Sequence, residues 1–477
     1  MTETRPLDIH LIAIGGTGMA PLACLLKDLG HRVRGSDGPL YPPTSDLLAE
    51  EGIEPMVGYD PSHLDPPPDL VIVGNAVPRD NPEVREMERR GLPRLSMPQA
   101  LYRFFLADRR PLVVAGTHGK TTTTAMAARA YTACDRDVGY LVGGRPRDLP
   151  RSFAAGSHER FCVEGDEYNA AYFDRGPKFL HYRPETLVLT SVEYDHADLY
   201  PTPETFRGAF RKLVAGLPAS GLLIACGDRS GVREIVGDAA CRVLFYGLGE
   251  GNDVTVTGAP GPSGQVGLRG PESWRAELRL AVPGRHNLSN ALAVWAAACS
   301  DGIDPSRAAR ALSRFRGVAR RLEELGTVRG VTVIDDFAHH PTAVAAGLQA
   351  LRDRYGGRRV VALFEPRSLT AGQSIHQEAY VEAFRPADVV WLAPIYYRER
   401  FSSEELLDRP RLAGELRGLG VEVRVVDSVE GLAEAAVAEA ETGDVLVTMS
   451  SGSFGGLPRR LLRELGTDGT GPKGRDE

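Results

Sequence analysis

The sequence predicts an α/β protein of three domains, each built on a mostly parallel sheet, and three observations carry this. Short apolar, β-branched runs recur along the chain and alternate with helical patterns, as in parallel strands joined by right-handed crossovers. Two of the runs pass directly into glycine turns that open a helix, at Gly15–Gly18 and Gly116–Gly119. The length of 477 residues suits about three domains.

The first domain is expected over 1–108. A strand over Ile9–Ile14 ends in Gly15-Gly16-Thr17-Gly18, a helix runs from Met19 to Leu29 and is closed by Gly30, and a second strand covers Val33–Asp37. Asp69–Gly74 reads as a further buried strand behind the turn Pro66-Pro67-Pro68. The second domain, 109–317, opens with a strand over Pro111–Ala115 and has others at Arg160–Glu164, Thr186–Thr190 and Gly221–Ala225. Within it, residues 248–283 are rich in Gly, Pro and alternating residues, which predicts a small antiparallel sheet. The third domain, 318–465, alternates again, with strands at Val331–Asp335, Arg359–Phe364, Asp388–Ala393, Val421–Val426 and Asp444–Thr448. One of its helices begins after His340-Pro341, where proline suits a first turn. The tail 466–477 is expected to be disordered.

Composition excludes some functions. A formal net charge of −7 argues against a non-specific nucleic-acid or membrane-surface binder. The six cysteines form no C-x-x-C pair, so they read as small buried hydrophobes in a reducing compartment rather than as metal or redox sites. The polar N-terminus has no apolar signal-peptide core, and no run of 18 apolar residues occurs, so the cytoplasm is the expected location.

The residues Gly116-Thr117-His118-Gly119-Lys120-Thr121 carry the strongest chemistry. A glycine loop between strand and helix turns backbone N–H groups toward one point at the positive end of the helix. A lysine placed there reaches β- and γ-phosphate oxygens, and the threonine hydroxyl can hold Mg²⁺. The loop is a variant, since the common phosphate-loop pattern has glycine where Val114 stands. Two acidic groups, Glu164-Gly165-Asp166-Glu167 and Glu193-Tyr194-Asp195-His196, follow near strand ends and could ligate a phosphate-bound metal; solvated loop acids are the bland alternative. Arg320-Arg321 and Arg367 could grip phosphate in bidentate fashion. The first glycine turn is open to two readings. The dinucleotide pattern G-x-G-x-x-G read from Gly16 meets Pro21 at its last position, which weakens a nicotinamide-dependent oxidoreductase. A diphosphate against the helix N-terminus remains compatible.

These pieces, in this order, resemble the Mur ligase family over about residues 8–465: IGGTGM at 14–19, GTHGKTTT at 116–123, EGDEYNAAYF at 164–173, EYDHADLY at 193–200, GRHNLSNALA at 284–293, ARRLE at 319–323, DDFAHHPTA at 335–343 and EPRS at 365–368. The resemblance implies a Rossmann-like N-terminal domain for a UDP-sugar, a central P-loop ATPase-type domain and a Rossmann-like C-terminal domain. It implies ATP and Mg²⁺ as cofactors and an acyl phosphate attacked by an amine, the acceptor being the lactyl carboxylate of UDP-N-acetylmuramate. The segments Ala171–Asp174, Phe179–Tyr182 and Phe337–His340 are most similar to the branch that joins the murein tripeptide L-Ala-γ-D-Glu-meso-diaminopimelate in peptidoglycan recycling. The branch adding L-alanine in peptidoglycan synthesis is the alternative. The implied partners are these small molecules, not nucleic acid or membrane, and the implied state is a monomer or weak homodimer.

Carried over by motif, Gly116, Thr117, His118, Gly119, Lys120 and Thr121 form the ATP loop, with Asn287 and Asn290 near adenine and Arg321 and Asp336 reaching ATP from the last domain. Thr121 holds one Mg²⁺, and Glu164 and His196 hold the second. Lys120, His196 and Arg321 are the catalytic set. Gly16, Thr17, Gly18, Met19, Asp37 and Asn75 bind the UDP substrate, and His339 and Arg367 line the reaction cleft. Some members carry a carbamylated lysine 14–15 residues after the metal histidine; here Phe210 and Arg211 stand there, with Lys212 adjacent, so that function is expected to be absent.

Overall fold

The computed structural model describes residues 5–42, 44–258, 264–402 and 404–466. It is an α/β protein with three large, mostly parallel sheets, a three-stranded antiparallel sheet and a two-stranded antiparallel hairpin. The chain divides into two compact units, one formed by Met1–Tyr194, Leu199–Ala281 and Ser289–Arg316, the other by Asp195–Asp198, Val282–Leu288 and Gly317–Glu477. No helix among the described residues is long and apolar enough to cross a membrane.

In the first unit, strands β1 (Asp8–Ile12), β2 (Arg32–Asp37), β3 (Met56–Val57), β4 (Leu70–Val73) and β5 (Arg94–Ser96) form a parallel sheet in the order β3-β2-β1-β4-β5. The order reverses between β1 and β4, so their carboxyl ends open a crevice. β1 stops two residues short of the expected end because Ala13 takes a left-handed φ of 65° and starts the turn. The following helix, Met19–Asp28, accepts Pro21 within its first turn, where no N–H is needed. Asn81 caps helix Pro82–Arg90 by accepting from Glu83 N at 2.9 Å, and Gly91 ends it in the left-handed region.

The same unit holds β6 (Arg110–Ala115), β7 (Gly139–Leu141), β8 (Phe153–Ala154), β9 (Arg160–Gly165), the hairpin β10 (Asn169–Ala171) and β11 (Asp174–Pro177), β12 (Thr186–Leu189), β13 (Leu222–Cys226) and β14 (Arg242–Tyr246). The central sheet runs β14-β13-β12-β6-β9-β7-β8, and only the β7–β8 pairing is antiparallel. β6 and β12 are buried along nearly their whole length, as expected of strands covered on both faces. The predicted small antiparallel sheet is present as β15 (Thr255–Thr257), β16 (Val266–Arg269) and β17 (Arg275–Leu278). Phe210 lies in helix Pro203–Ala215 and packs its ring against Phe206 and Phe179 at 5.1 and 5.2 Å, so the position left without lysine is part of a core.

In the second unit, β18 (Glu323–Val328), β19 (Val331–Asp336), β20 (Val360–Phe364), β21 (Val389–Leu392), β22 (Glu422–Val425) and β23 (Val445–Met449) pair in the order β18-β19-β23-β20-β21-β22, with β18 antiparallel. Alternate residues face opposite ways: Val360, Ala362 and Phe364 pack with Tyr380 and Phe384 on one face, Val361 and Leu363 with Leu432, Leu457 and Leu461 on the other. The last helix, Leu457–Gly466, takes up the first residue of the tail expected to be disordered; the rest of that tail lies outside the described residues. All six cysteines are free and five are buried. Burial pushes the Cys24 thiol up to about 12, in keeping with inert packing.

Candidate active site

In the first sheet the expected substrate residues gather at the carboxyl ends of neighbouring strands β1, β2 and β4. Gly15 N donates to Asp37 Oδ2 at 2.8 Å, and Asp37 Oδ1 accepts from Gly38 N at 2.7 Å and the Tyr59 hydroxyl at 3.0 Å. Gly16 O accepts from Met19 N at 2.9 Å, closing the turn, and Gly18 precedes the first helical residue. Thr17 and Asn75 are exposed on the turns after β1 and β4. This leaves a glycine turn at a helix N-terminus open to solvent, a geometry suited to a diphosphate.

The central loop is built between β6 and helix Lys120–Ala133. Gly116 has φ 133° and a Cβ there would collide with Thr190 and Ser191, so glycine is required. Gly119, with φ 82°, abuts Asn290, whose Oδ1 lies 2.9 Å from where a Cβ would stand. The segment after β12 braces the loop. Thr117 N and His118 N donate to Ser191 O and Oγ at 3.1 and 2.9 Å, and the His118 ring lies 3.1 Å from Glu193 Oε2. Lys120 Nζ donates to Gly116 O at 2.6 Å and to both Glu167 oxygens at 2.9 and 3.1 Å. Burial opposes the Lys120 charge, but Glu167 and Asp166 outweigh it and hold its pKa above the ordinary lysine value. Thr121 Oγ1 donates to Glu164 Oε2 at 3.0 Å. A hydroxyl and a carboxylate oxygen side by side at a helix N-terminus are hard oxygen donors that fit Mg²⁺.

In the second unit, His196 follows the buried Asp195 and has a left-handed φ of 56°. Although burial raises the Asp195 pKa, His196, His339 and His340 together pull it well below the usual carboxylate range. His339 is fixed by its Nδ1, 3.0 Å from Phe337 O, and by its own carbonyl, which accepts from the Tyr380 hydroxyl at 2.6 Å. The Arg321 guanidinium lies over the Phe337 ring at 4.7 Å. Burial pushes the neighbouring Asp336 up to about 6, with Arg321 drawing it back. Arg367 stacks on the Tyr396 ring at 3.8 Å and lies 3.7 Å from Glu365 Oε2. Asn287 Nδ2 donates to Pro283 O at 2.6 Å in the first turn of helix Arg285–Ser300.

The structure thus brings Lys120, Thr121, Glu164, Gly119 and Asn290 together in one unit, and His196 with His339, and Arg321 with Asp336, in the other. Sequence reasoning noted Glu167 only as one acid among several and missed it as the partner of Lys120. It also passed over Ser191 as the brace of the loop and over Tyr59 and Tyr396, whose rings carry no motif.

Three family descriptions match along the chain: "Mur ligase family, catalytic domain" over residues 8–109, "Mur ligase middle domain" over 114–298, and "Mur ligase, glutamate ligase domain" over 320–452. The chain is 39% identical over 463 residues to the UDP-N-acetylmuramate–L-alanyl-γ-D-glutamyl-meso-2,6-diaminoheptandioate ligase of Escherichia coli K12, covering 96% of this chain and 98% of that one. It is 36% identical over 463 residues to the UDP-N-acetylmuramate–L-alanine ligase of Paenarthrobacter aurescens, covering 96% and 97%. Among solved structures, a murein peptide ligase from Psychrobacter arcticus matches with a TM-score of 0.73 at 32% identity, covering 97% of this chain and 99% of that one. The UDP-N-acetylmuramate–alanine ligase of Thermotoga maritima matches with a TM-score of 0.77 at 25% identity, covering 96% and 98%. The chain belongs to the Mur ligase family of ATP-dependent, amide-forming ligases.

Proposed function

We propose that the chain joins the lactyl carboxylate of UDP-N-acetylmuramate to the tripeptide L-Ala-γ-D-Glu-meso-diaminopimelate, in peptidoglycan recycling in the cytoplasm. The observation that carries this reading is the end-to-end similarity to a ligase of that name, at 39% identity. The geometry is consistent with it. An exposed glycine turn on one sheet and a braced phosphate loop on the next lie within one compact unit, as a nucleotide-linked acid and ATP require. We place the domains at 1–108, 109–317 and 318–465.

In this reading the carboxylate oxygen attacks the γ-phosphorus, the bond to the β-phosphate oxygen breaks, and ADP leaves. The peptide amine, having lost a proton, then attacks the acyl carbon and expels phosphate. Both acid and ATP are anionic, so the first step needs positive charge. Lys120 supplies it on the β- and γ-phosphates, exchanging Glu167 for phosphate oxygens. Arg321 adds charge from the last domain, near Asp336. Thr121 would hold one Mg²⁺ and Glu164 and His196 a second, and bound there the ions would offset charge on the phosphates. Asn287 and Asn290 contact adenine. Gly16, Thr17, Gly18, Met19, Asp37 and Asn75 hold the UDP substrate, and His339 and Arg367 face the incoming peptide.

The second reading is the L-alanine ligase. It is favoured by Leu369-Thr370 after Glu365–Ser368, which departs from the tripeptide branch's usual Asn-Thr. The test is ADP release with ATP, Mg²⁺ and UDP-N-acetylmuramate, comparing the tripeptide with free L-alanine. Turnover with the tripeptide alone supports the first reading, turnover with alanine alone the second, and turnover with neither removes both.

A further inference from the structure

The hairpin β10–β11 takes no part in the chemistry above, yet it links the two nucleotide turns of the first unit. Its base belongs to the ATP loop. Glu167, just before it, is the ion partner of Lys120, and Glu167 O accepts from the Tyr200 hydroxyl at 2.5 Å. Lys178 N donates to Tyr168 O at 3.0 Å and Phe179 N to Asp166 O at 3.2 Å, so the strand ends are tied back to the acidic segment.

The tip of the hairpin docks on the N-terminal domain. The Tyr172 hydroxyl donates to Glu88 Oε1 at 2.8 Å, and the Phe173 ring lies under the Arg94 guanidinium at 5.0 Å. Asp174 Oδ2 accepts from Ser96 Oγ at 3.1 Å and lies 2.8 Å from His181 Nε2. Ser96 is fully buried and immediately precedes helix Met97–Leu101. Met97 packs on the first glycine turn, its Cε 3.1 Å from where a Cβ on Gly18 would stand, and the Tyr182 hydroxyl lies 4.0 Å from its sulfur. A continuous path therefore runs from Lys120 through Glu167, Asp174, Ser96 and Met97 to Gly18. The segments Ala171–Asp174 and Phe179–Tyr182, which the sequence marks as characteristic of one branch, are the residues that make this joint.

We propose that Asp174 is a positioning residue. Through Ser96 and Met97 it fixes the separation between the glycine turn that holds the diphosphate and the loop that holds ATP. The acceptor carboxylate is thereby kept within attacking distance of the γ-phosphate. Displacing reacting groups by about 1 Å costs on the order of a hundredfold in rate. The inference rests on the ligase reading above.

The test compares Asp174→Ala, Asp174→Asn, Ser96→Ala and the double alanine variant. ADP release is measured at saturating substrates, and UDP-N-acetylmuramate is titrated calorimetrically without ATP. Asp174→Ala is expected to bind UDP-N-acetylmuramate at a full complement of sites and with unchanged affinity while kcat falls by about tenfold to a hundredfold. Asp174→Asn keeps an acceptor for Ser96 and retains most of the rate, and the double variant is no slower than Asp174→Ala. An undiminished kcat in Asp174→Ala, or a fall matched by lost binding sites, overturns the proposal. No turnover by the wild type with any amine would instead remove the ligase reading. Hydrogen exchange then decides the joint: UDP-N-acetylmuramate should slow exchange in residues 116–121 of the wild type and not of Asp174→Ala. Any other pattern, including no slowing in either protein, sinks it.

Discussion

The Lys120 ammonium is held 2.9 Å from Oε2 of Glu167, a carboxylate whose side chain has no exposed surface. The pair gives the loop lysine two tasks, since it neutralises a buried acid in the free protein and is the cation proposed for ATP. Lys120→Met should therefore reduce ADP release by at least about a hundredfold. It should also destabilise the fold by about 3–5 kcal/mol, because the buried Glu167 carboxylate loses the ammonium beside it. Adding Glu167→Gln should restore the melting temperature but not the activity. Recovery of both would show that Lys120 serves the fold alone.

Thr121 Oγ1 donates to Glu164 Oε2 at 3.0 Å, and Gly143 N also donates to Glu164. Removing divalent ions with EDTA should abolish ADP release, and Mg²⁺ should restore it. Glu164→Gln keeps the Thr121 contact but loses the charge, so it should need about tenfold or more Mg²⁺ for half-maximal rate. An unchanged Mg²⁺ titration would exclude Glu164 as a ligand.

Asp336 gives a pH signature of defined sign. Its folded-state pKa, raised to about 6 by burial, exceeds the unfolded value. Its stabilising contribution is thus full below roughly pH 4, is lost as pH rises to about 6, and is flat above that. The shift of roughly two units corresponds to about 3 kcal/mol. The wild type should lose that much relative to Asp336→Asn across the window, read from denaturant unfolding of both proteins. Parallel curves would mean that the carboxyl ionises normally.

Gly452 gives an indirect test of Arg367. A Cβ on Gly452 would overlap the Arg367 guanidinium and force it off the Tyr396 ring. The arginine end can swing away, so Gly452→Ala should fold normally and lower kcat/KM for the amine by about tenfold, the same loss expected of Arg367→Ala. A Gly452→Ala enzyme with native kcat/KM would separate Arg367 from substrate recognition.

Much of the fold was legible because fully buried parallel strands read as unbroken apolar runs, as in Leu70–Val73 and Val360–Phe364. Helix starts were legible where a cap precedes proline, as at His340-Pro341. The strands Met56–Val57 and Phe153–Ala154 were not, since two residues carry no period. Nor was Glu323–Val328, where a shift in register near Gly326 breaks the alternation. In the candidate site, the glycine loop announced itself through local spacing. The partner of Lys120 did not, because Glu167 is 47 residues away and Glu164, Asp166 and Glu167 are chemically alike. Only the path of β9 into the hairpin selects among them.

The strand β18 has a consequence for how the protein behaves at high concentration. Open edges of large sheets invite pairing with another chain, the first step toward aggregation. Here one edge strand of the C-terminal sheet, β18, is antiparallel and bulged, and the other, β22, carries Glu422 and Arg424. The N-terminal sheet ends in strands of two and three residues, too short to template a partner. One edge of the central sheet, β8, is likewise two residues long. At these borders little backbone is left on which a neighbouring molecule could add a strand.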